Sequence, residues 1–193
     1  MKIPRPESKQ PIPSHATRVF KGIVFDVYHW EQTMFDGSTA TFEKVKKADT
    51  TVVFPVLPDG RILLTKQEQP GKPPFIAGAG GRMEEGEEPE ASARREMLEE
   101  TGYEAEKLVL WYAEQPMSKI DWAVYVFIAH GAKKAADLNL DSGEKIELYP
   151  VTFDEFLTIG IQDNFAEKEI VPLIYAARAD SAKKEELRKL FQS

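Results

Sequence analysis

Cysteine is absent from the 193 residues. Its absence excludes disulfides, thiolate zinc sites and cysteine nucleophiles. Histidine is scarce, and His15, His29 and His130 stand apart from one another, so each reads as structural rather than as a metal ligand. No apolar run approaches the roughly 18 residues of a membrane helix, and residues 1–18 lack the apolar core of a signal peptide. Positive charge is in deficit: 25 Lys and Arg against 32 Asp and Glu leave a net charge of -7. A nucleic-acid binder would show a basic patch or stripe, so none is expected here. A polyanionic substrate would need a cation to enter an acidic site. These absences fit a cytoplasmic globular protein with no nucleic-acid or membrane partner. A hydrophobic content of 42% is enough for a sizeable core.

Proline and glycine punctuate the chain. Pro4, Pro6, Pro11 and Pro13 mark residues 1–18 as an extended, mobile arm. Strand-like runs at 22–33 and 39–47 flank Asp36-Gly37, a hairpin turn signal. Apolar, β-branched runs at 51–57 and 61–67 flank Pro58-Asp59-Gly60. Residues 70–86 are dense in Pro and Gly and read as a loop. Pro89 suits a first helical turn, 90–101 reads as a helix, and Gly102 can close it in the left-handed conformation. Strands are expected at 107–114, 120–129 and 145–152, with a polar loop at 131–143. Helices are expected at 153–157, 167–178 and 182–191. This order implies an α+β fold in which one mixed sheet, built from 51–67, 107–129 and 145–152, lies between helices.

The expected helix carries the chemistry. Glu96, Glu99 and Glu100 stand at i, i+3 and i+4, so their carboxylates share one face. Like charges at that spacing cost roughly 0.2–0.5 kcal/mol a pair. A solvated acidic face is the bland reading of such a trio. A magnesium site is the functional one, because hard cations take carboxylate oxygens and would cancel the repulsion. The surroundings favour the second. Gly81 is followed after five residues by Glu87, then after seven by Arg95-Glu96-Met97, and then by Glu99-Glu100 and Gly102-Tyr103.

That string resembles the signature of the Nudix hydrolase family at every specified position, and a chance match is on the order of one in a million at roughly 7% abundance per fixed residue. The resemblance implies the Nudix fold, an α/β/α sandwich with a mixed β-sheet. It implies metal ligands at Glu96, Glu99 and Glu100, with the Gly80 carbonyl as a further ligand, and Mg2+ or Mn2+ as the cofactor. Gly81, Glu87, Arg95 and Gly102 take structural roles within the box, with Glu87 and Arg95 bracing the loop against the helix. The implied reaction is attack of water on phosphorus. Arg82, Arg94 and Lys72 are candidate cations near the box. The catalytic base lies either within the box, at Glu99 or Glu100, or outside it at Glu144, where residues 141–147 are similar to the acidic loop of ADP-ribose pyrophosphatases. An ordinary charged turn is the alternative for that loop.

The order of elements resembles the branch of the family that acts on ADP-ribose and nucleoside diphosphate sugars. In that branch an N-terminal antiparallel β segment precedes the core and joins a homodimer, and a proline like Pro116 lies near the substrate. Departures are visible. Gln67-Glu68-Gln69-Pro70 stands where the branch has Gln-aromatic-Arg, and residues 77–81 replace Glu-Leu-Pro-Ala-Gly. Dinucleoside polyphosphates, nucleoside triphosphates or a non-catalytic nucleotide sensor are the alternatives. The expected organisation is an arm at 1–18, a dimerising β segment at 19–48, the Nudix domain at 49–180 and a C-terminal helix at 181–193. Trp30, Tyr28, Trp111 and Trp122 read either as core or as stacking platforms for a base. Asp137, Asn139 and Asp141 alternate as in a calcium loop, but Ser142 and Leu148 occupy its glycine and glutamate positions, so that reading is rejected.

Overall fold

The computed structural model describes residues 2–140 and 142–192. Asp141 lies outside the described residues. The proline-rich N-terminal segment has no regular structure up to β1 (Thr17–Lys21), as four fixed φ angles and four missing donors dictate. Distant partners nevertheless fasten it. Arg5 grips Asp49 with two hydrogen bonds at 2.7 and 2.8 Å and Asp121 with a third at 2.9 Å. Buried Lys44 donates to the Ser8 hydroxyl at 2.8 Å.

Next come β2 (Asp26–Thr33) and β3 (Thr39–Lys46), paired antiparallel across the Asp36-Gly37 turn, where Asp36 accepts from the Ser38 amide and hydroxyl. With β1 they form an N-terminal sheet.

The core begins at β4 (Thr50–Pro55) and β5 (Ile62–Gln69). Residues 70–86, expected as a loop, contain β6 (Lys72–Ala77) and β7 (Ala79–Arg82). Prolines 73 and 74 sit on an edge strand, where a missing donor is tolerated. Helix α1 (Pro89–Thr101) follows. Gly102 caps it at φ 70°, with its amide on the Leu98 carbonyl at 2.8 Å.

Short β8 (Tyr103–Glu104) leads to β9 (Lys107–Glu114), β10 (Ile120–Asp121), β11 (Val124–His130), β12 (Lys133–Lys134) and β13 (Lys145–Val151). Helix α2 (Phe153–Ile159) starts from a capping box made by Thr152 and Glu155. A 3-10 turn (Lys168–Ile170), α3 (Val171–Ala179) and α4 (Ser181–Leu190) complete the chain.

The single mixed sheet that was expected is divided. The central sheet runs β7-β4-β11-β9, with β4 and β11 parallel, and a separate antiparallel sheet runs β13-β5-β6. Strands β4 and β5 are consecutive yet part company beyond an isolated Val56–Ile62 bridge. Helices cover both faces of the central sheet. Alternation along β11 shows it: Tyr125, Phe127 and Ala129 pack with Ala93 and Met97 of α1, while Val124, Val126 and Ile128 pack with Phe156, Ile174 and Phe191. A strand buried on both faces reads as a continuous apolar run, as 124–129 does. Burying a side chain such as Phe156 contributes about 1.5–3 kcal/mol. Trp111 belongs to this core, against Phe54 and Phe191 at 6.1 and 5.8 Å.

Candidate active site

Two elements meet to make the site. The Thr51 and Ser92 hydroxyls, 3.0 Å apart and buried, clip α1 to β4. Beside them β7 brings Gly80 and Gly81 under the acidic face of α1. At Gly81 an added Cβ would lie 2.6 Å from a Glu96 carboxylate oxygen, so any larger residue would have to push that carboxylate aside.

Arg95 organises the acids. Its Nε and Nη2 bind the two Glu87 oxygens, each at 3.1 Å. Nη1 reaches Glu96 at 2.8 Å and Glu99 at 3.1 Å, and Nη2 also donates to the Arg82 carbonyl at 3.2 Å. The bidentate pair therefore ties the 82–87 loop to the helix. Arg95 holds Glu87 below its ordinary pKa and is itself held further towards its charged form.

Burial acts in the opposite direction on two neighbours. It raises the Glu96 carboxyl and pushes Glu100 up to about 8, although Glu100 accepts the Gly80 amide at 2.9 Å. Gln67, 3.5 Å from Glu100, adds at most a weak contact at that distance.

Glu96, Glu99, Glu100 and Glu144 line one cleft of about 140 Å3 together with Arg95 and Asn139. The loop carrying Asn139 is docked on the helix, with its amide on the Glu99 carbonyl at 2.9 Å. Neighbouring Glu144 adds to the rise in both Glu96 and Glu100.

The donors are hard oxygens of the type magnesium takes, and Glu100 is a buried carboxyl held by the Gly80 amide. Among the described residues, however, no three acidic or histidine groups already converge as a ready cage. Arg95 occupies the space between Glu96 and Glu99, and Gly80 holds Glu100. The residues fit a divalent cation in kind, and Glu99, 38% exposed, is the one with room to swing.

Other candidates fall elsewhere. Arg82 is exposed and lines a larger groove of about 800 Å3 shared with Lys21, Lys47 and Asp49. Pro116 lies between β9 and β10 and is not among the residues lining the cleft. Arg94 is engaged with Glu90 and the Ala105 carbonyl, and Lys72 lies over Phe75. Trp122 donates to Thr50 under the Lys47 ammonium, and Trp30 packs on Phe42. Sequence reasoning passed over Asn139 as a cleft residue and gave Glu167 no role beyond opening a helix. Nothing local marks either one, because their neighbours are tertiary.

Residues 46–173 match the NUDIX domain family. The chain belongs to it. A curated relative, the ADP-ribose pyrophosphatase of Bacillus subtilis (strain 168), is 32% identical over 147 residues, covering 74% of this chain and 78% of the relative. The methanol dehydrogenase activator of Bacillus methanolicus is 28% identical over 144 residues, covering 72% and 77%. A solved structure described as an ADP compounds hydrolase has the same fold, with a TM-score of 0.69 over 90% of this chain and 95% of that one, at 16% identity. This Nudix protein is a pyrophosphohydrolase similar to ADP-ribose pyrophosphatases, and enzymes of its family generally use divalent metal ions. Among the described residues no helix is long and apolar enough to cross a membrane.

Proposed function

We propose that the protein hydrolyses the diphosphate link of a nucleoside diphosphate derivative, ADP-ribose or a nucleotide sugar, with Mg2+ or Mn2+ held by Glu96, Glu99, Glu100 and the Gly80 carbonyl. One observation carries the reading: four carboxylates share a single small cleft, and burial opposes ionisation of two of them. Arg95 offsets part of that charge, and a further cation entering the cleft would offset the rest. When bound, the cation would neutralise the diphosphate and acidify a water.

The chain's own groups do the remaining work. Glu87 and Arg95 hold the loop under the helix, and Arg95 keeps its charge beside the incoming phosphates. Glu144, which lines the same cleft from outside the helix, takes the proton of the attacking water. A P–O bond of the anhydride breaks and two phosphomonoesters leave; from ADP-ribose these are AMP and ribose 5-phosphate. A second hollow of about 250 Å3, lined by Glu68, Pro70, Gly143 and Lys145, shares Glu144 and offers room for the substrate beyond its diphosphate.

The substrate class rests on the 32% identical relative. The test is release of phosphomonoester from ADP-ribose, nucleotide sugars, dinucleoside polyphosphates and nucleoside triphosphates, with magnesium and with EDTA. Cleavage of ADP-ribose only when magnesium is present supports the reading. No divalent-dependent cleavage of any of them would overturn it.

A homodimer built on residues 20–47 belongs to the same reading. Strand β1 is a sheet edge, and Phe20, Ile23, Val24 and Phe25 beside it are exposed. Apolar side chains along an open strand edge need covering. A chain without cysteine needs no oxidising compartment, and we place it in the cytoplasm.

A further inference from the structure

Glu167 is buried, far in sequence from the acidic helix, and immediately precedes the 3-10 turn. The segment before it runs beside β6 as a parallel partner. The Ile76 amide donates to the Asn164 carbonyl at 2.9 Å, and the Ala166 amide returns to the Ile76 carbonyl at 2.9 Å.

The next donor along β6 is the Gly78 amide, and a continued ladder would hand it the Ala166 carbonyl. The Lys168 amide binds that carbonyl at 2.9 Å as the chain turns away. Glu167 Oε1 accepts the Gly78 amide instead, at 3.2 Å, so a side chain finishes a ladder that the backbone has left. The other oxygen, Oε2, is buried with no hydrogen-bond partner.

Two residues on, the Gly80 amide gives its hydrogen bond to Glu100 at 2.9 Å. Residues two apart on an extended chain present their amides to the same side. Carboxylates from two different elements therefore hold alternate amides of one stretch, 78–80, at the point where the chain crosses from the second sheet into the central one. From the far side, the Thr65 hydroxyl holds the Ala77 carbonyl at 3.1 Å.

We propose that Glu167 is a positioning residue whose hydrogen bond to the Gly78 amide sets where Gly80 stands, and through the Gly80 amide where the Glu100 carboxylate stands in the acidic cleft. The part concerning the cation rests on reading that cleft as a divalent-metal site. Loss of the acceptor leaves a buried amide unpaired, which a strand end relieves by shifting. Supports of this kind typically alter metal affinity by roughly 10–100-fold.

The experiment compares the full-length protein with Glu167→Gln, which keeps an acceptor of the same reach, and Glu167→Met, which fills the volume without one. Hydrogen exchange of the Gly78 and Gly80 amides is followed by NMR in EDTA, and Mn2+ affinity is measured by electron paramagnetic resonance without substrate. In Glu167→Met we expect Gly80 protection and Mn2+ affinity each to fall about tenfold, with both restored in Glu167→Gln.

Unchanged Gly80 exchange in Glu167→Met, or an equal defect in Glu167→Gln, would overturn the inference. Should Glu167→Met not fold, Glu167→Asp withdraws the acceptor by one methylene while keeping the acid, and is expected to show the same loss. Failure of the unaltered protein to bind Mn2+ sinks the metal reading instead, and the exchange data then judge the Gly78 contact separately.

Discussion

Glu100→Gln is expected to change stability in opposite directions with and without metal. In the metal-free fold, burial pushes the Glu100 carboxyl up to about 8 from 4.5. The folded state thus prefers the neutral acid, while the unfolded chain ionises near the ordinary value. Unfolding releases a proton between those two values, so stability is lost as pH rises through the window and levels off above about 8. At 1.36 kcal/mol per pKa unit, the wild type should lose about 2.5 kcal/mol between pH 6 and pH 9 through this group. Glutamine has no such dependence.

The difference between variant and wild type therefore isolates Glu100, together with whatever Glu96, Glu144 and Glu167 gain from losing a charged neighbour. For a chain of this size, 2.5 kcal/mol corresponds to about 5–10 °C in Tm. Thermal unfolding in EDTA at pH 6, 7, 8 and 9 reads it, and starting at pH 6 keeps the protein clear of its isoelectric point near 5.2. With magnesium at a hundred times its Kd, the wild type should gain about 2.7 kcal/mol, and the variant far less. A Tm difference that stays flat across the pH series and is unmoved by magnesium would refute both the desolvation argument and the metal reading.

Glu100→Gln should also lower kcat by roughly 10²–10⁴-fold under saturating magnesium, the scale of losing an electrostatic contact to a phosphoryl transition state; near-normal turnover would contradict it. Glu144→Gln should reduce kcat by roughly 10²–10⁴-fold while magnesium affinity is retained, as the loss of a base outside the metal ligands would; near-normal turnover would return the role of base to the helix. Gly81→Ala should weaken both activity and metal affinity, since the new methyl meets the Glu96 carboxylate at 2.6 Å; wild-type kinetics would show that the strand moves aside freely. Light scattering at micromolar concentration should give twice 21.8 kDa, and Phe20→Glu should halve it; a monomeric wild type would remove the dimer from the reading.

The helix of the site was legible because its signals are local. Pro89 at its start, Gly102 at its end and acids three and four apart fix the helix and the shared face without any reference to the rest of the chain. Strand 107–114 was legible as well, whereas the single strand expected at 120–129 is split into β10, paired with β3 of the N-terminal sheet, and β11, in the central sheet. Residues 70–86 misled because glycine and proline carry weak β preference, and β6 and β7 exist through their partners β5 and β4. The prolines among residues 1–18 foretold extended backbone, but not Arg5 reaching Asp49 and Asp121.

The sequence by itself determined the chemistry: which acids share a helix face, which arginine can brace them, and which family they belong to. Those are matters of residue type and spacing within one turn or one loop. Only the tertiary structure decided the division into two sheets, the arrival of Glu144 and Asn139 at the cleft, and the burial that lifts Glu96 and Glu100. Dehydration depends on how many atoms from other elements surround a carboxylate, and no spacing along the chain encodes that number. Glu167 is the plainest case: 89 positions from Gly78, it meets that amide where the backbone ladder beside β6 ends and the chain turns away.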